Sequence, residues 1–391
     1  MTRAATIAGR LVLDDRVAAG RLLIDDGLIV AVELNGSGEC PPSVGSGGPF
    51  IAPGFVDVHV HGAGGHDAMG GRAALDGMAR HLLRHGVTSF LPTAVSAPIP
   101  ALGRFAGQVR SWLPVSPSNG AEPLGFNLEG PFLAASRRGA HDGSYLRVPA
   151  DVRRAELEPL LEGLRLMTIA PELPGALELI TSLRERGVVT SMGHSAADLE
   201  QARAGFAAGA TSTTHLFNAM SGVDHHAPGL AVAALVDDTV YVELIADGEH
   251  VHPALWPIII RTKPDDRLIL VSDALSLAGM GDGRARIGDL EVAVVGERVT
   301  LVGTTTLAGS VIALDTAVRN LVASGLALPL AIGAASRNPL SMLGVTDRGR
   351  LAVGQRADVV ELDEALRVQR VMRAGRWISA AATAHPMTGS R

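Results

Sequence analysis

The stretch FVDVHVHG, residues 55–62, begins like a buried strand and ends in two histidines separated by one residue. Side chains alternate between the two faces of a strand, so His59 and His61 point to the same side. Two imidazoles on one side of a strand end can bind a metal ion, or they can be two ordinary, partly buried histidines. The remaining sequence distinguishes between these two interpretations.

Further apolar runs follow this stretch at regular intervals, and helical patterns lie between them. Strands that alternate with helices predict a parallel sheet. Eight units in roughly 250 residues have the size of a closed (β/α)8 barrel of the TIM type. A doubly wound open sheet is the main alternative, and the number of units favours the barrel. The eight predicted strands cover residues 55–60, 87–93, 123–130, 164–172, 188–194, 211–217, 240–248 and 268–274.

The two ends of the chain have a different pattern. Residues 7–34 and 350–379 consist of short strand-like runs with turns, and neither segment is large enough to bury its own apolar face. We therefore predict that the two ends pair into one small β-sandwich domain beside a catalytic barrel. The predicted boundaries are residues 1–52 and 350–391 for the small β domain and residues 53–349 for the barrel.

Two segments fall outside the β/α alternation. Residues 276–308 carry glycine-rich turns around two strand-like runs, which predicts a β insertion after the eighth barrel strand. Residues 381–391 have the composition of a disordered tail. Neither segment changes the prediction for the barrel itself.

The composition argues against several classes of protein. A formal net charge of −6 gives no basic surface for nucleic acid, and the single cysteine, Cys40, leaves no disulfide framework. No uncharged apolar run reaches the about 18 residues that a membrane span requires. The first residues lack the apolar region of a secretory signal. We therefore expect a soluble cytoplasmic protein that binds neither nucleic acid nor membranes.

Polar residues occupy the ends of the predicted barrel strands. The C-terminal ends of the strands converge on one mouth of a (β/α) barrel, where the chemistry takes place. A single histidine at a strand end is more often structural, but a whole set of imidazoles and carboxylates predicts ligands for zinc, iron or a similar divalent ion. The set consists of His59, His61, Glu129, His194, His215 and Asp273.

Two other motifs invite different functions. The run HGAGGHDAMGG, residues 61–71, lacks the spacing of a dinucleotide fingerprint, so we interpret it as a tight turn rather than a phosphate loop. Ser195 follows His194 but lacks the flanking glycines of a nucleophile elbow. We predict that Ser195 caps the helix that follows it.

A set of motifs in the barrel resembles a known family. In order, PGFVDVHVHG, NLEGPF, MGHS, THLFNAM, IADGEHVH, LVSDA and LAGS resemble the N-acetylglucosamine-6-phosphate deacetylases of the amidohydrolase superfamily, over residues 51–325. The end segment GQRADVVELD is similar to the small β domain of that superfamily. The resemblance implies a metal-dependent, homodimeric enzyme that hydrolyses N-acetylglucosamine 6-phosphate to glucosamine 6-phosphate and acetate.

The resemblance also implies a role for individual residues. Glu129, His194 and His215 match the principal metal ligands, while His59 and His61 match a second site, so one or two ions are expected. Zinc is the first choice, with iron, manganese or cobalt as alternatives. Asp273, beside the metal, would accept a proton from the metal-activated water that acts as nucleophile and then donate it to the leaving amine. The residues implied to contact the substrate are His141 at the scissile amide, together with Asn218, Ala219, His226, His250 and Leu307.

One position departs from the family pattern. The family carries an arginine two residues before Pro228, pointing at the substrate phosphate across a dimer interface, and this chain has His226 there. A histidine lacks the guanidinium fork and is only partly charged at neutral pH. The main alternative is therefore an amidohydrolase that acts on another N-acetylated sugar or another amide.

Two further alternatives are less well supported. Cyclic-amide hydrolases such as dihydroorotases use a carboxylated lysine as a metal ligand, and Lys263, the only lysine of the chain, lies in a helix-end stretch. A non-catalytic barrel that binds a sugar phosphate is expected to have lost metal ligands or the acid/base, and none is lost here. A nicotinamide oxidoreductase lacks its dinucleotide fingerprint.

Overall fold

Four strands precede the barrel. In the computed structural model, which describes residues 4–35 and 48–378, they are β1 (Ala5–Val12), β2 (Val17–Asp25), β3 (Leu28–Leu34) and β4 (Phe50–Pro53). β1 pairs with β2 antiparallel and with β4 in parallel. Gly54 alone separates β4 from the first barrel strand, so the small sheet leads directly into the barrel. Cys40 and the predicted tail lie outside the described residues.

Eight parallel strands form the barrel. In spatial order they are β15, β14, β13, β12, β11, β10, β8 and β5, so neighbours in space are successive in the chain. The predicted (β/α)8 barrel is therefore confirmed. With the short strands that lie between them, the strands are β5 (Phe55–Val60), β6 (Gly62–Ala63), β7 (His66–Asp67), β8 (Val87–Ala94), β9 (Glu122–Pro123), β10 (Phe126–Glu129), β11 (Leu164–Ile169), β12 (Val189–Met192), β13 (Ser212–Thr213), β14 (Tyr241–Leu244) and β15 (Leu268–Leu270).

The first seven helices lie between successive barrel strands, and the last three follow the final barrel strand and precede the C-terminal strands of the small sheet. α1 shows why they pack on the barrel, since its buried residues recur three and four positions apart along one face. α5 (Leu199–Ala208) is capped by the preceding residue, Asp198, whose side chain accepts from the Gln201 amide. The prediction that Ser195 caps α5 is wrong, because its hydroxyl donates to Glu172 instead. The helices are α1 (Arg72–Arg84), α2 (Ile99–Trp112), α3 (Arg154–Leu161), α4 (Ala176–Glu185), α5 (Leu199–Ala208), α6 (Leu230–Val236), α7 (Trp256–Thr262), α8 (Leu314–Ala323), α9 (Leu328–Ala334) and α10 (Arg337–Met342).

The seam between the last and the first barrel strand is closed just beyond the end of β15. The Asp273 amide donates to the His59 carbonyl at 2.9 Å. The buried Asp57 carboxylate accepts from the Ser272 amide at 3.3 Å, and burial raises the pKa of Asp57 to about 6. The seam therefore fixes Asp273 against His59 through main-chain contacts.

A three-stranded antiparallel sheet follows the barrel. It consists of β16 (Gly283–Ile287), β17 (Leu290–Val295) and β18 (Arg298–Leu301). The sequence predicts only two strands in this segment and misses β16. The sequence of β16, GRARI, contains two arginines and lacks the apolar residues that make a strand recognisable. We call this sheet the insertion. Its buried face packs in one apolar cluster with Val95, Ala140 and Leu275 from loops at the barrel mouth.

The last three strands complete the small sheet. They are β19 (Val359–Leu362), β20 (Val368–Arg373) and β21 (Arg376–Ile378), and the strand order is β21-β20-β19-β4-β1-β2-β3. The two chain ends thus pair in one sheet, as predicted, while the predicted domain boundaries stay a prediction. Within residues 4–35 and 48–378, no helix combines the length and the apolar character of a membrane span.

Candidate active site

The predicted metal ligands and His141 converge at the barrel mouth and are buried there. All of them except His59 line a cavity of about 340 Å³. Among the predicted substrate-binding residues, Asn218, Ala219, His250 and Leu307 also line this cavity. The ligand set comes from the ends of β5, β10, β12, β13 and β15 or from the residues just beyond them. Residues that are distant in the sequence therefore share one site.

Glu129 lies at the centre of this cluster, and its two oxygens face different histidines. Oε1 lies 2.9 Å from Nε2 of His215 and 3.0 Å from Nε2 of His194. Oε2 lies 3.2 Å from Nε2 of His61 and 3.1 Å from Nε2 of His141. One carboxylate therefore links two groups of imidazoles.

Asp273 completes the second group. Its Oδ1 lies 3.2 Å from Nε2 of His61 and 3.4 Å from Nε2 of His59. The same two Nε2 atoms are 3.2 Å apart. His59 also approaches Glu129, with Nε2 3.6 Å from Oε1, so His59, His61 and Asp273 form a second group beside the same carboxylate.

The hydrogen-bond partner of Nδ1 in each imidazole ring determines which of the two ring nitrogens carries the proton. A ring nitrogen that faces a carbonyl or carboxylate must donate, so the other nitrogen of the neutral ring carries a lone pair. Three rings have such an acceptor at Nδ1, and their Nε2 lone pairs therefore face one another and Glu129. Only a proton or a cation can lie between such atoms, so this donor set fits a divalent ion. The pairs are His59 with Glu243 Oε2 at 3.1 Å, His61 with the Thr93 carbonyl at 3.2 Å and His194 with the Arg137 carbonyl at 2.8 Å.

His141 has the opposite arrangement. Its Nδ1 accepts from the Ser96 amide at 3.2 Å, so the neutral ring carries its proton on Nε2. Burial lowers the pKa of His141 to about 4, and the ring is neutral at pH 7. His141 therefore presents an N–H to the cavity. That atom suits a hydrogen-bond donor and does not suit a metal ligand.

Each charged group of the cluster changes the pKa of its neighbours. Burial opposes the charged form of His61, but the carboxylates of Asp273 and Glu129 outweigh burial and raise its pKa to about 9. Burial likewise opposes ionised Asp273, yet His59 and His61 hold its pKa down to about 2. Burial also opposes ionised Glu129, but His59 and His141 hold its pKa well below the usual range, so both carboxylates are anionic at neutral pH. A bound cation would displace the protons that the imidazoles otherwise hold between these groups.

Three of the candidate metal ligands have an unusual backbone conformation. His194, His215 and Asp273 have φ angles of 48°, 32° and 49°, in the left-handed region that residues other than glycine rarely adopt. Each lies two or three residues beyond its strand. Such strained positions concentrate at functional sites, where the surrounding structure enforces them.

Glu243 is a functional residue that the strand-end argument misses. It lies on β14, is fully buried, and its Oε2 accepts from Nδ1 of His59 and, at 3.3 Å, from the His215 amide. Its only signal in the sequence is one carboxylate inside the apolar run YVEL. Glu243 therefore holds a metal-ligand candidate without facing the cavity.

The remaining predicted residues occupy two different settings. The side chain of His250 is 6% exposed, and its Nδ1 lies 2.7 Å from Oδ2 of Asp247, which fixes the ring at the cavity wall. His226 is exposed, and its ring lies tilted by 42° against that of His225, with centroids 4.0 Å apart. His226 is not among the described residues that line the cavity. The structure brings His250 to the site but not His226 of the same chain.

Comparison with known proteins agrees with this geometry. The sequence profile of the amidohydrolase family matches residues 50–378. The chain belongs to the amidohydrolase family. The resemblance that the motifs predict is thereby confirmed, and this amidohydrolase is a hydrolase that acts on an amide.

Two curated relatives of this amidohydrolase cover most of its length. N-acetylgalactosamine-6-phosphate deacetylase from Escherichia coli O157:H7 is 39% identical over 94% of this chain and 96% of its own. N-acetylglucosamine-6-phosphate deacetylase from Homo sapiens is 40% identical over 84% and 83%. These relatives share nearly the whole architecture of the chain.

Two solved structures superpose closely on this amidohydrolase. N-acetylglucosamine-6-phosphate deacetylase from Thermotoga maritima has a TM-score of 0.88 at 32% identity and covers 96% of this chain and 99% of its own. A mutant of the Mycobacterium smegmatis enzyme in complex with N-acetyl-D-glucosamine-6-phosphate has a TM-score of 0.88 at 36% identity, with the same coverage. The barrel and the small sheet are therefore common to these proteins.

Proposed function

We propose that the protein hydrolyses N-acetylglucosamine 6-phosphate to glucosamine 6-phosphate and acetate. This proposal rests on the different roles of the imidazoles around Glu129. Three imidazole lone pairs and two carboxylates fit a divalent ion. His141 presents an N–H beside them. The relatives named as deacetylases of amino-sugar phosphates support the substrate. A phosphorylated sugar also fits the cytoplasmic location that the sequence predicts.

The ligand groups support two ions. Glu129 Oε1, His194 and His215 would hold the first ion, and Glu129 Oε2, His59, His61 and Asp273 would hold the second. A bound divalent ion supplies a water of lowered pKa and polarises the amide carbonyl. Zinc fits the nitrogen-rich ligand set, and iron, manganese and cobalt are the alternatives.

Asp273 serves as the general base and then as the general acid. Its carboxylate is anionic at neutral pH, so it can accept a proton from the attacking water. The amine leaving group must be protonated before the C–N bond breaks, and Asp273 can return the same proton to the nitrogen. His59 and His61 on one side of Asp273 keep its carboxylate oriented towards the cluster.

His141 stabilises the charge that develops on the amide oxygen. The Ser96 amide behind the ring keeps the proton on Nε2, which lies 3.1 Å from Glu129 Oε2 and so points into the cluster where the amide oxygen would bind. The sugar would occupy the rest of the cavity, against Asn218, Ala219, His250 and Leu307. We assign His226, which lies outside the cavity of its own chain, to the substrate phosphate in a second copy of a homodimer.

A second candidate substrate is the C4 epimer, N-acetylgalactosamine 6-phosphate. The Escherichia coli relative named for this substrate matches this chain over a larger share of both lengths than the human relative does. The same cluster would cleave either amide, because the epimers differ only at a sugar hydroxyl. The two candidates therefore differ in the contacts of the sugar and not in the chemistry.

Acetate release from both epimers, each with and without the 6-phosphate, tests these proposals. The purified protein is loaded in turn with zinc, iron, manganese or cobalt, and its metal content is measured. We expect a marked preference for one phosphorylated epimer. The variant Asp273→Asn tests the role of the proposed acid/base. It should retain an ion at Glu129, His194 and His215, while kcat falls by about 10²–10⁴-fold. Equal turnover with and without phosphate would refute the substrate assignment.

A further inference from the structure

The tip of the insertion is held in a defined position beside the cavity. We define the insertion tip as residues 287–290, where Ile287 pairs with Leu290 across the two-residue turn formed by Gly288 and Asp289. Gly288 has a φ of 54°, which the tight turn requires and glycine adopts without strain. The Asp289 carboxylate accepts from the Tyr145 hydroxyl, so the tip is bonded to the loop that follows His141.

Ile287 is the residue that the insertion tip places at the cavity. Its side chain is 6% exposed and lines the same cavity as Glu129 and His141. It also belongs to one buried apolar cluster with Val95 and Ala140. Ile287 therefore forms an apolar part of the wall next to Ala140, the residue that directly precedes His141.

The position of His141 indicates which part of a substrate meets this wall. His141 donates to the oxygen of the scissile amide in the proposed function, on which this inference rests. The acyl chain is bonded to the same carbon as that oxygen, so it lies close to His141, where Ala140 and Ile287 supply apolar wall. A methyl group buries favourably against alanine and isoleucine, whereas a sugar hydroxyl there would lose its hydrogen bonds to water.

We propose that Ile287 determines the length of the acyl group that the enzyme removes. The branched side chain limits the space beside Ala140 to an acetyl group, and the Tyr145–Asp289 hydrogen bond keeps the insertion tip from moving away. One additional methylene in such a pocket changes kcat/KM by about 10–200-fold. The wild type should therefore cleave N-acetyl far better than N-propionyl, and N-butyryl worse again.

The experiment measures kcat/KM for N-acetyl, N-propionyl and N-butyryl derivatives of the preferred amino-sugar 6-phosphate, with wild type and Ile287→Ala. We expect Ile287→Ala to lower the ratio of acetyl to propionyl by about tenfold or more, because the removed carbons make room for the longer chain. Val294→Ala is the matched control. Val294 is buried in the same cluster but is not among the described residues that line the cavity. The ratios of kcat/KM for the three N-acyl substrates should therefore be the same in Val294→Ala as in the wild type.

Tyr145→Phe provides a second variant that leaves the apolar cluster intact. It removes only the hydroxyl that bonds Asp289, and we expect a smaller relaxation of acyl selectivity in the same direction. An unchanged ratio in both Ile287→Ala and Tyr145→Phe, with normal acetate release, would refute the role of Ile287 and leave the proposed function intact. Failure of the wild type to release acetate from any of the N-acetyl sugars would instead refute the proposed function, and the acyl assignment with it.

Discussion

Replacing Glu243 with glutamine tests whether the residue behind His59 controls metal binding. Glu243 is fully buried on β14, and its Oε2 accepts from Nδ1 of His59 at 3.1 Å. This bond leaves the Nε2 lone pair of His59 facing Asp273 and Glu129. Glu243→Gln retains an oxygen that can accept from Nδ1 but removes the negative charge behind the ring.

The expected loss of metal affinity depends on how much of the hydrogen bond to His59 each variant keeps. Residues that orient a metal-binding histidine typically change metal affinity by about 10–100-fold when they are replaced. A hydrogen bond to a charged acceptor is roughly twice as strong as a neutral one, so glutamine keeps part of the interaction. We therefore expect Glu243→Gln to weaken the second ion by about tenfold, or about 1.4 kcal/mol, and Glu243→Ala by about 100-fold.

Competition with a chelator measures the affinity, and elemental analysis after dialysis measures the number of ions retained. The ion at Glu129, His194 and His215 should keep the larger share of its affinity. Asp315→Asn is the matched control, since Asp315 is a buried carboxylate that also pairs with a histidine, His85, and His85 is not one of the candidate ligands. Identical chelator curves for wild type, Glu243→Gln and Glu243→Ala would refute the idea that Glu243 supports the metal site.

Three further predictions follow from single side chains. His141→Asn should lower kcat by about 10²–10³-fold with the metal content unchanged, whereas His194→Asn should lose metal on dialysis. Burial lowers the pKa of His81 to about 4, so the unfolded chain takes up its proton first as the pH falls below 6.5. Stability should therefore fall by about 2–3 kcal/mol between pH 6.5 and 4 in urea titrations, and by less in His81→Asn. Lys263 donates to the Ala234 carbonyl at the end of α6, so Lys263→Met should lower the free energy of unfolding by about 1–3 kcal/mol and leave kcat unchanged.

The barrel could be predicted because its evidence is local and repeated. Each strand run is apolar, each helix has one buried face, and the alternation fixes a parallel sheet. The strand ends were less predictable. The run 211–217 predicts one long strand, but β13 covers only Ser212–Thr213, since the chain turns into the left-handed region at His215. That turn depends on tertiary contacts and has no signature in residues of this type.

The candidate ligands were also predictable, but the residues that support them were not. Histidine and carboxylate at successive strand ends are recognisable from the order of the chain alone. Glu243 and Ile287 gain their importance from contacts with residues more than 100 positions away, and no local pattern encodes such contacts. The third strand of the insertion was missed for a simpler reason, because β16 exposes its charged residues and buries little.

The end of β8 shows why residue type alone cannot assign the roles of the histidines. The sequence presents His61 and His141 as equivalent imidazoles, and both have an Nε2 within 3.2 Å of the same oxygen of Glu129. Behind them, the Thr93 carbonyl accepts from Nδ1 of His61, while the Ser96 amide donates to Nδ1 of His141. One ring is thereby left with a lone pair and the other with an N–H at the site. The second barrel strand contributes no ligand of its own, yet its main chain separates a metal ligand from a hydrogen-bond donor.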